Sequence, residues 1–409
     1  MSARFKRLAD KNRSSFVIGN VISLAILLGA LNFTAVAFAE PDLKFERTRL
    51  DGQFRSEGVA VGDLNQDGLN DIVAGFVWYE APDWKMHSLV AEAPQYQPKG
   101  YANSFVNMTH DVNGDGWIDV MIVDFPGTPT WWFENPKGRK GAWERHQITP
   151  VSNNESPQFL DLDGDGKREW VMGVAPSTPT SDGPERFLAF LKAKSDPKAD
   201  WTIHRISRNA APGTKKYDHG LGIGDVNSDG RLDVVVPAGW WEAPEDRMDA
   251  TWDFHAAPFG KAASQMYVYD VDGDGDNDLL SSSAHNFGIW WHEQTKPNEW
   301  KTHEIDASFS QTHGLCLADM DGDGLKDFVT GKRWWAHGGN DPGGDQPAVF
   351  YWYRLTRENG KPKWTPHLFD RDSGPGTQFE VVDVDKDGLL DVVSSNKKGV
   401  HYFKQVRGE

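Results

Sequence analysis

The chain holds one cysteine, Cys316, in 409 residues, so no disulfide can form within it and its cross-links must be of another kind. Basic residues are in deficit, with 43 Lys and Arg against 60 Asp and Glu and a formal net charge of −17. No basic stripe is present to neutralise phosphates, which excludes nucleic acid as an expected partner. Beyond residue 39 no segment is apolar enough to span a bilayer, so no membrane contact is expected once the leader is removed. No G-x-S-x-G elbow occurs, which argues against hydrolysis by a serine nucleophile.

The leader itself has the form of an export signal. Arg4, Lys6, Arg7, Lys11 and Arg13 precede an apolar run over residues 16–38 that ends in Ala37-Phe38-Ala39. Cleavage after Ala39 is expected, leaving residues 40–409 as one periplasmic or secreted domain; an uncleaved membrane anchor is the alternative. No cysteine lies near the cleavage site, so lipid anchoring is not expected.

What is abundant is one nine-residue pattern, D-x-[DN]-x-D-G-x-x-[DE], present seven times. Its first, third, fifth and ninth positions are Asp63, Asn65, Asp67, Asp71; Asp111, Asn113, Asp115, Asp119; and Asp161, Asp163, Asp165, Glu169. Then come Asp225, Asn227, Asp229, Asp233; Asp270, Asp272, Asp274, Asp278; Asp319, Asp321, Asp323, Asp327; and Asp383, Asp385, Asp387, Asp391. Hard oxygen ligands in that order, closed by a carboxylate at position nine, suit calcium, and up to seven structural Ca2+ ions are expected. The invariant sixth-position glycine permits the positive φ that wraps a chain around an ion. Of the chain's 60 acidic residues, 25 occupy these positions, so much of the acidity is site acidity and not a field for attracting partners. Glu169 stands where six copies have aspartate, and its longer side chain is expected to alter that loop slightly.

An EF-hand would close with glutamate at position 12 and enter a helix. Here each loop runs into a short apolar segment such as Ile72-Val73 or Val234-Val235-Val236, which reads as a buried strand. Strand, calcium loop and strand in repetition resemble the FG-GAP (VCBS-type) repeats of integrin α chains and of secreted bacterial proteins. The resemblance implies an all-β, seven-bladed β-propeller with the loop joining the first and second strands of each blade. Repeat starts 45 to 64 residues apart suit four-stranded blades. Aromatic third strands (Trp78-Tyr79, Trp131-Trp132, Trp240-Trp241, Trp290-Trp291) are followed by W-x-x-H fourth strands, six in all, from Trp84/His87 to Trp364/His367. The seventh blade lacks its own fourth strand, and residues 43–50 are expected to supply it. The recurrent histidines are read as structural, packing with the aromatics between neighbouring blades.

Function is expected where the repeats differ. Six residues before each loop stand Glu57, Phe105, Glu155, His219, Ser264, His313 and Thr377, so two histidines and two carboxylates ring the channel mouth on the face opposite the calcium loops. An insertion over residues 330–345 brings Lys332, Arg333 and His337 to that face, joined by residues 91–104, 176–185 and 209–218 and by Ala284-His285-Asn286-Phe287. Two chemistries fit such a polar pocket. In one, His219 or His313 removes a proton beside a sugar carbonyl or carboxylate, and Arg333 or Lys332 steadies the enolate. In the other, His219, His313 and Glu57 or Glu155 hold an additional divalent metal. The run T-H-G-L-x-x-A-D-x-D-G-D-G, then T-G-K-R-W-W-A-H-x-G-x-D-P-G, is similar to the propeller part of aldos-2-ulose dehydratases. That resemblance implies dehydration of oxidised sugars with His313, Lys332, Arg333 and His337 near the substrate; the isomerisation carried by that family's cupin domains is not expected here. The reading is therefore a monomeric sugar lyase or dehydratase, a carbon–oxygen lyase. Its alternative is a non-catalytic propeller that binds carbohydrate or protein.

Overall fold

The computed structural model describes residues 43–176, 183–248, 251–261 and 264–407; the expected signal at residues 1–39 and part of the 176–185 insertion lie outside them. Twenty-eight strands follow one another from Lys44 to Val406, interrupted among the described residues by a single short 3-10 turn, Ala336–Gly339. No described helix is long and apolar enough to cross a membrane.

The strands pair antiparallel in fours. In the first unit Ala60–Gly62, Asp71–Ala74, Val77–Glu80 and Lys85–Ser88 lie side by side in chain order. Five further units repeat this meander, and in the last Phe379–Val382, Asp391–Asn396 and Gly399–Val406 are completed by Lys44–Asp51 from the other end of the chain. Neighbouring units meet through their first strands: that of the first adjoins those of the second and seventh, and the third to seventh continue in sequence. His110 and Phe159, with ring centroids 5.4 Å apart, join the second to the third. The sheets therefore close into a ring, as in a β-propeller.

Such a ring has no central core. Each second strand (Ile72-Val73-Ala74, Val120 to Val123, Val234 to Val236) is buried on both faces, because a neighbouring sheet covers each side. The hydrophobic clusters accordingly bridge adjacent units: Trp143 packs with Leu64, Val73 and Trp78 of the unit before it, and Trp252 with Val171 and Phe190. Each fully buried tryptophan removes about 200 Å² from water, worth roughly 5 kcal/mol of transfer free energy. The fourth-strand histidines behave otherwise. His87, His146, His255, His303 and His367 lie against a third-strand tryptophan of their own sheet at 4.3–4.5 Å. They are cross-strand partners in register, as Trp78 and His87 or Trp240 and His255 show. The expectation that these histidines pack between blades is thus corrected: the W-x-x-H tryptophans do so, the histidines stack within a blade.

Each nine-residue loop joins a first strand to a second, with its ninth residue opening the second strand. The sixth-position glycines all have φ between 83° and 98°, a region in which any side chain would be strained. The ninth carboxylate clamps the loop. Asp71 accepts from the backbone N–H of Leu64 at 2.9 Å and of Ala81 at 3.0 Å, tying loop start, second strand and third-strand end together. Asp119, Asp233, Asp278, Asp327 and Asp391 make the equivalent pair of bonds. Glu169 keeps the first, to Leu162 at 2.8 Å, and replaces the second by Lys192 at 3.3 Å.

Candidate active site

At the other end of the first strands, the residues six places before each loop are all buried. They do not all converge. Glu155 Oε2 lies 3.2 Å from His219 Nε2 and 3.1 Å from His313 Nε2, and His285 Nε2 is 3.0 Å from His219 Nε2. Glu57 stands apart in a buried ion pair with Lys397 at 3.4 Å, so of the two carboxylates only Glu155 joins the histidines.

The outer partners of these rings decide where their protons sit. His285 Nδ1 faces Asp341 Oδ2 at 3.1 Å, and His313 Nδ1 faces the Thr377 carbonyl at 3.3 Å. Both partners only accept, so both rings carry hydrogen on Nδ1 and turn the Nε2 lone pair inward. Burial, then Arg333, keeps the His313 ring neutral, well below the usual histidine range; burial, His219 and Arg333 pull His285 down to about 4. Burial opposes charge on Glu155 too, but His219 beside it holds its carboxyl well below the usual range. Glu155 Oε2 and the Nε2 atoms of His285 and His313 are therefore acceptors facing one another, with only the His219 Nε2 proton to share. A carboxylate and inward lone pairs, each oriented from behind by a fixed acceptor, form a donor set suited to a first-row divalent cation.

This cluster lies beside a cavity of about 450 Å³ lined by Tyr101, Phe105, Phe125, Glu155, Tyr217, His219, His285, Arg333 and His337. A second cavity of about 400 Å³, with Lys215, Asp218 and Lys261 in its lining, also reaches His219. His337 is the accessible imidazole of the first cavity, its side chain 49% exposed. It stacks on His285 at 4.3 Å, and its Nδ1 is 3.0 Å from Asp341 Oδ1. Trp335 and His337 both have left-handed backbone, φ 58° and 44°, a conformation costly outside glycine.

Two expected participants are placed elsewhere. Lys332 is wholly buried, with Nζ donating to Gln311 Oε1 at 2.6 Å and to the Arg333 carbonyl at 3.2 Å; it does not line the cavity. Along a strand alternate side chains face opposite ways, so of the Lys332-Arg333 pair only one could reach the pocket. His313, fully buried behind Glu155, lacks the access a substrate base needs. Conversely, the structure adds Tyr101, Tyr217, Asp341 and Lys397, none of which is among the site residues expected from the sequence. Tyr101, Tyr217 and Asp341 lie in the insertions over residues 91–104, 209–218 and 330–345, whose richness in aromatics and charge hinted at them, whereas Lys397 sits in the two-residue turn between Asp391–Asn396 and Gly399–Val406, which carries no such signal.

The nine-residue loops bring carboxylates together at the opposite end of the first strands. Ligand atoms of Asp161, Asp163 and Glu169, and of Asp270, Asp272 and Asp278, fall within 4.8 Å of one another. Burial, and to a lesser degree the neighbouring loop carboxylates, pushes the carboxyls of Asp119, Asp233, Asp278 and Asp327 up to about 7, and a cation would relieve the second of these effects. The donor set fits calcium. The loops are of two kinds, however. At one third-strand position, four units carry Glu80, Glu134, Glu242 or Glu293, whereas the others carry Lys192, Arg354 or Lys404. Those three third-strand cations reach into their own loops: Lys192 to Asp163 and Asp165, Arg354 to Asp321 at 2.6 Å, and Lys404 to Asp385; in the glutamate units the cations that meet loop carboxylates, such as Lys137 on Asp115 at 2.8 Å and Arg231 on Asp229, come from elsewhere.

Residues 111–172 and 270–330 match the FG-GAP-like repeat family, so the chain carries FG-GAP-like repeats, as the loop pattern leads one to expect. No curated protein matches the chain. Among solved structures it is similar to an Agrocybe aegerita lectin described for specific recognition of non-reducing terminal N-acetylglucosamine. Identity is 15% and TM-score 0.46, over 82% of this chain and 83% of that one. It is also similar to the rhamnogalacturonan lyase YesW (12%, TM-score 0.44, 88% and 72%). The Bacillus licheniformis rhamnogalacturonan lyase PL11 is another (11%, TM-score 0.43, 88% and 75%).

Proposed function

We propose that this chain of FG-GAP-like repeats is an exported carbohydrate-directed carbon–oxygen lyase whose site is the cavity over Glu155, His219 and His285. The observation that carries the reading is the single-copy convergence of Glu155, His219, His285 and His313 beside an aromatic-walled cavity with a free imidazole at its rim. Aromatic walls suit the apolar faces of a sugar ring. A divalent ion held by Glu155, His219, His313 and His285 would polarise a carbonyl or carboxylate oxygen and steady the enolate that forms next to it.

The remaining work falls to the chain's own groups. His337, oriented by Asp341, takes the proton from the carbon beside the carbonyl group; the C–H electrons form the new C=C bond as the β C–O bond breaks. Arg333 faces the developing negative charge. Burial pushes the Tyr101 phenol up, so it keeps its proton and can deliver it to the leaving oxygen. This moves the role of base from His219 or His313 to His337. Calcium in the nine-residue loops is proposed as a structural element only.

The test is turnover. Protein loaded with calcium and a first-row divalent ion is offered keto-sugars, glycosides and uronate oligosaccharides, and unsaturated product is followed by absorbance. The expected result is turnover that Glu155→Gln and His337→Ala each lower by about 10²-fold or more at unchanged melting temperature. Saturable sugar binding without product would instead make this a binding propeller.

A further inference from the structure

Among the charged side chains around the cavity, one has no counterpart. Glu155 is met by His219 and His313, Glu57 by Lys397, and Asp341 by Gln311, His285 and His337. Lys332 is absorbed by Gln311. Arg333 is different: it is 2% exposed, it lines the cavity, and its Nε and Nη1 have no acceptor among the described residues. A guanidinium keeps its charge under all ordinary conditions, so it cannot escape burial by losing a proton. Leaving it buried and unpaired destabilises the ligand-free fold, and such a group is retained where something else completes it.

We infer that the sugar bound here carries a carboxylate, and that this carboxylate seats on Arg333. The inference rests on the carbohydrate reading above and narrows it from oxidised sugars in general to sugar acids. A planar fork of N–H donors matches a carboxylate edge to edge. Tyr101, Phe105 and Phe125 form a linked aromatic wall, with ring centroids 5.3–6.2 Å apart, for the apolar face of the same ring. Lys397, poised 3.9 Å over the Tyr101 ring and paired with Glu57, adds no free charge to this account. The assignment also serves the chemistry: pairing a carboxylate with a guanidinium withdraws charge from it and makes the adjoining C–H easier to ionise. In a hexuronate the C5–H and C4–O bonds break, C4=C5 forms, and the proton delivered to O4 completes the balance.

The experiment is equilibrium binding of galacturonate and galactose, which differ only in a carboxylate replacing the hydroxymethyl group, to the full metal-loaded chain by calorimetry. The acid is expected to bind at least tenfold more tightly, and Arg333→Gln to abolish that preference. Arg333→Met gives a second readout: the ligand-free variant should melt no lower than the parent, and galacturonate should no longer raise its melting temperature. Equal binding of the two sugars, or a preference for the acid that survives in Arg333→Gln, overturns the carboxylate assignment and leaves the carbohydrate reading standing. Acid-selective binding without turnover upholds the assignment and overturns the lyase reading. Binding of neither sugar overturns both.

Discussion

The first strands of the ring carry two kinds of ends. At one end stands a nine-residue loop repeated seven times, in six copies of which the ninth-position aspartate makes the same two bonds to the same backbone positions. At the other stand Glu57, Phe105, Glu155, His219, Ser264, His313 and Thr377, no arrangement of which repeats. Repetition is what a scaffold needs, since each sheet must solve the same problem of fixing a loop between two buried strands. A reaction site needs the opposite, because one substrate presents different groups on different sides.

The sharpest way to break this comparison is to damage one end and watch the other. Glu155→Ala should abolish turnover, by about 10³-fold or more, with little loss of stability, read as kcat beside a melting curve. Chelation should do the reverse to the fold. Removing calcium leaves clustered carboxylates repelling one another, and a fall in melting temperature of roughly 10 °C or more is expected by calorimetry. An unchanged curve after verified metal removal would sink the calcium assignment.

Within the repeated end, the two kinds of loop sharpen the contrast further. Calcium titration should resolve a tighter class, whose third strands end in glutamate, and a weaker class in which Lys192, Arg354 or Lys404 already neutralises the carboxylates. Lys192→Gln should then tighten one site by about tenfold, the effect of removing one competing charge. Uniform affinity would remove the distinction.

Acid acts on both ends alike. Burial lowers His292 and His401 to about 4 from an ordinary value of 6.5. Between these values the unfolded chain binds more protons than the folded one. Their contribution is therefore complete above pH 6.5, declines as pH falls, and is gone near pH 4. The loss is on the order of 3 kcal/mol per ring, measurable from urea midpoints at pH 7 and pH 5 in calcium-loaded protein. His401→Phe should flatten that slope. The smallest effect belongs to the stacked histidines. His255→Ala removes a 4.3 Å stack on Trp240 and a 2.7 Å contact with Glu242 on a part-exposed strand, and about 1 kcal/mol is expected.

Much of the scaffold was legible before any coordinates because its signals are local. Ligand spacing, the sixth-position glycine and the apolar run that follows all lie within about a dozen residues. Closure by residues 43–50 could be read only from a missing copy, and Lys44–Asp51 does pair with Gly399–Val406. Part of the site was legible for the same reason. Glu155, His219 and His313 share one offset from their loops, and a ring brings equal offsets to one circle. The direction of the fourth-strand histidines was misjudged because W-x-x-H states the spacing but not which sheet face each side chain takes.

By itself, then, the sequence determined the repeated all-β framework and the residues able to ring the channel, because short-range spacing dictates turns and strand faces. Only the tertiary structure decided which of those residues meet. It drew Glu155 to the histidines and Glu57 to Lys397, turned Lys332 inward, and left Arg333 buried with no acceptor for Nε or Nη1 among the described residues. The physical reason is that side-chain partners across a ring are chosen by packing between sheets distant in sequence. No local pattern encodes that.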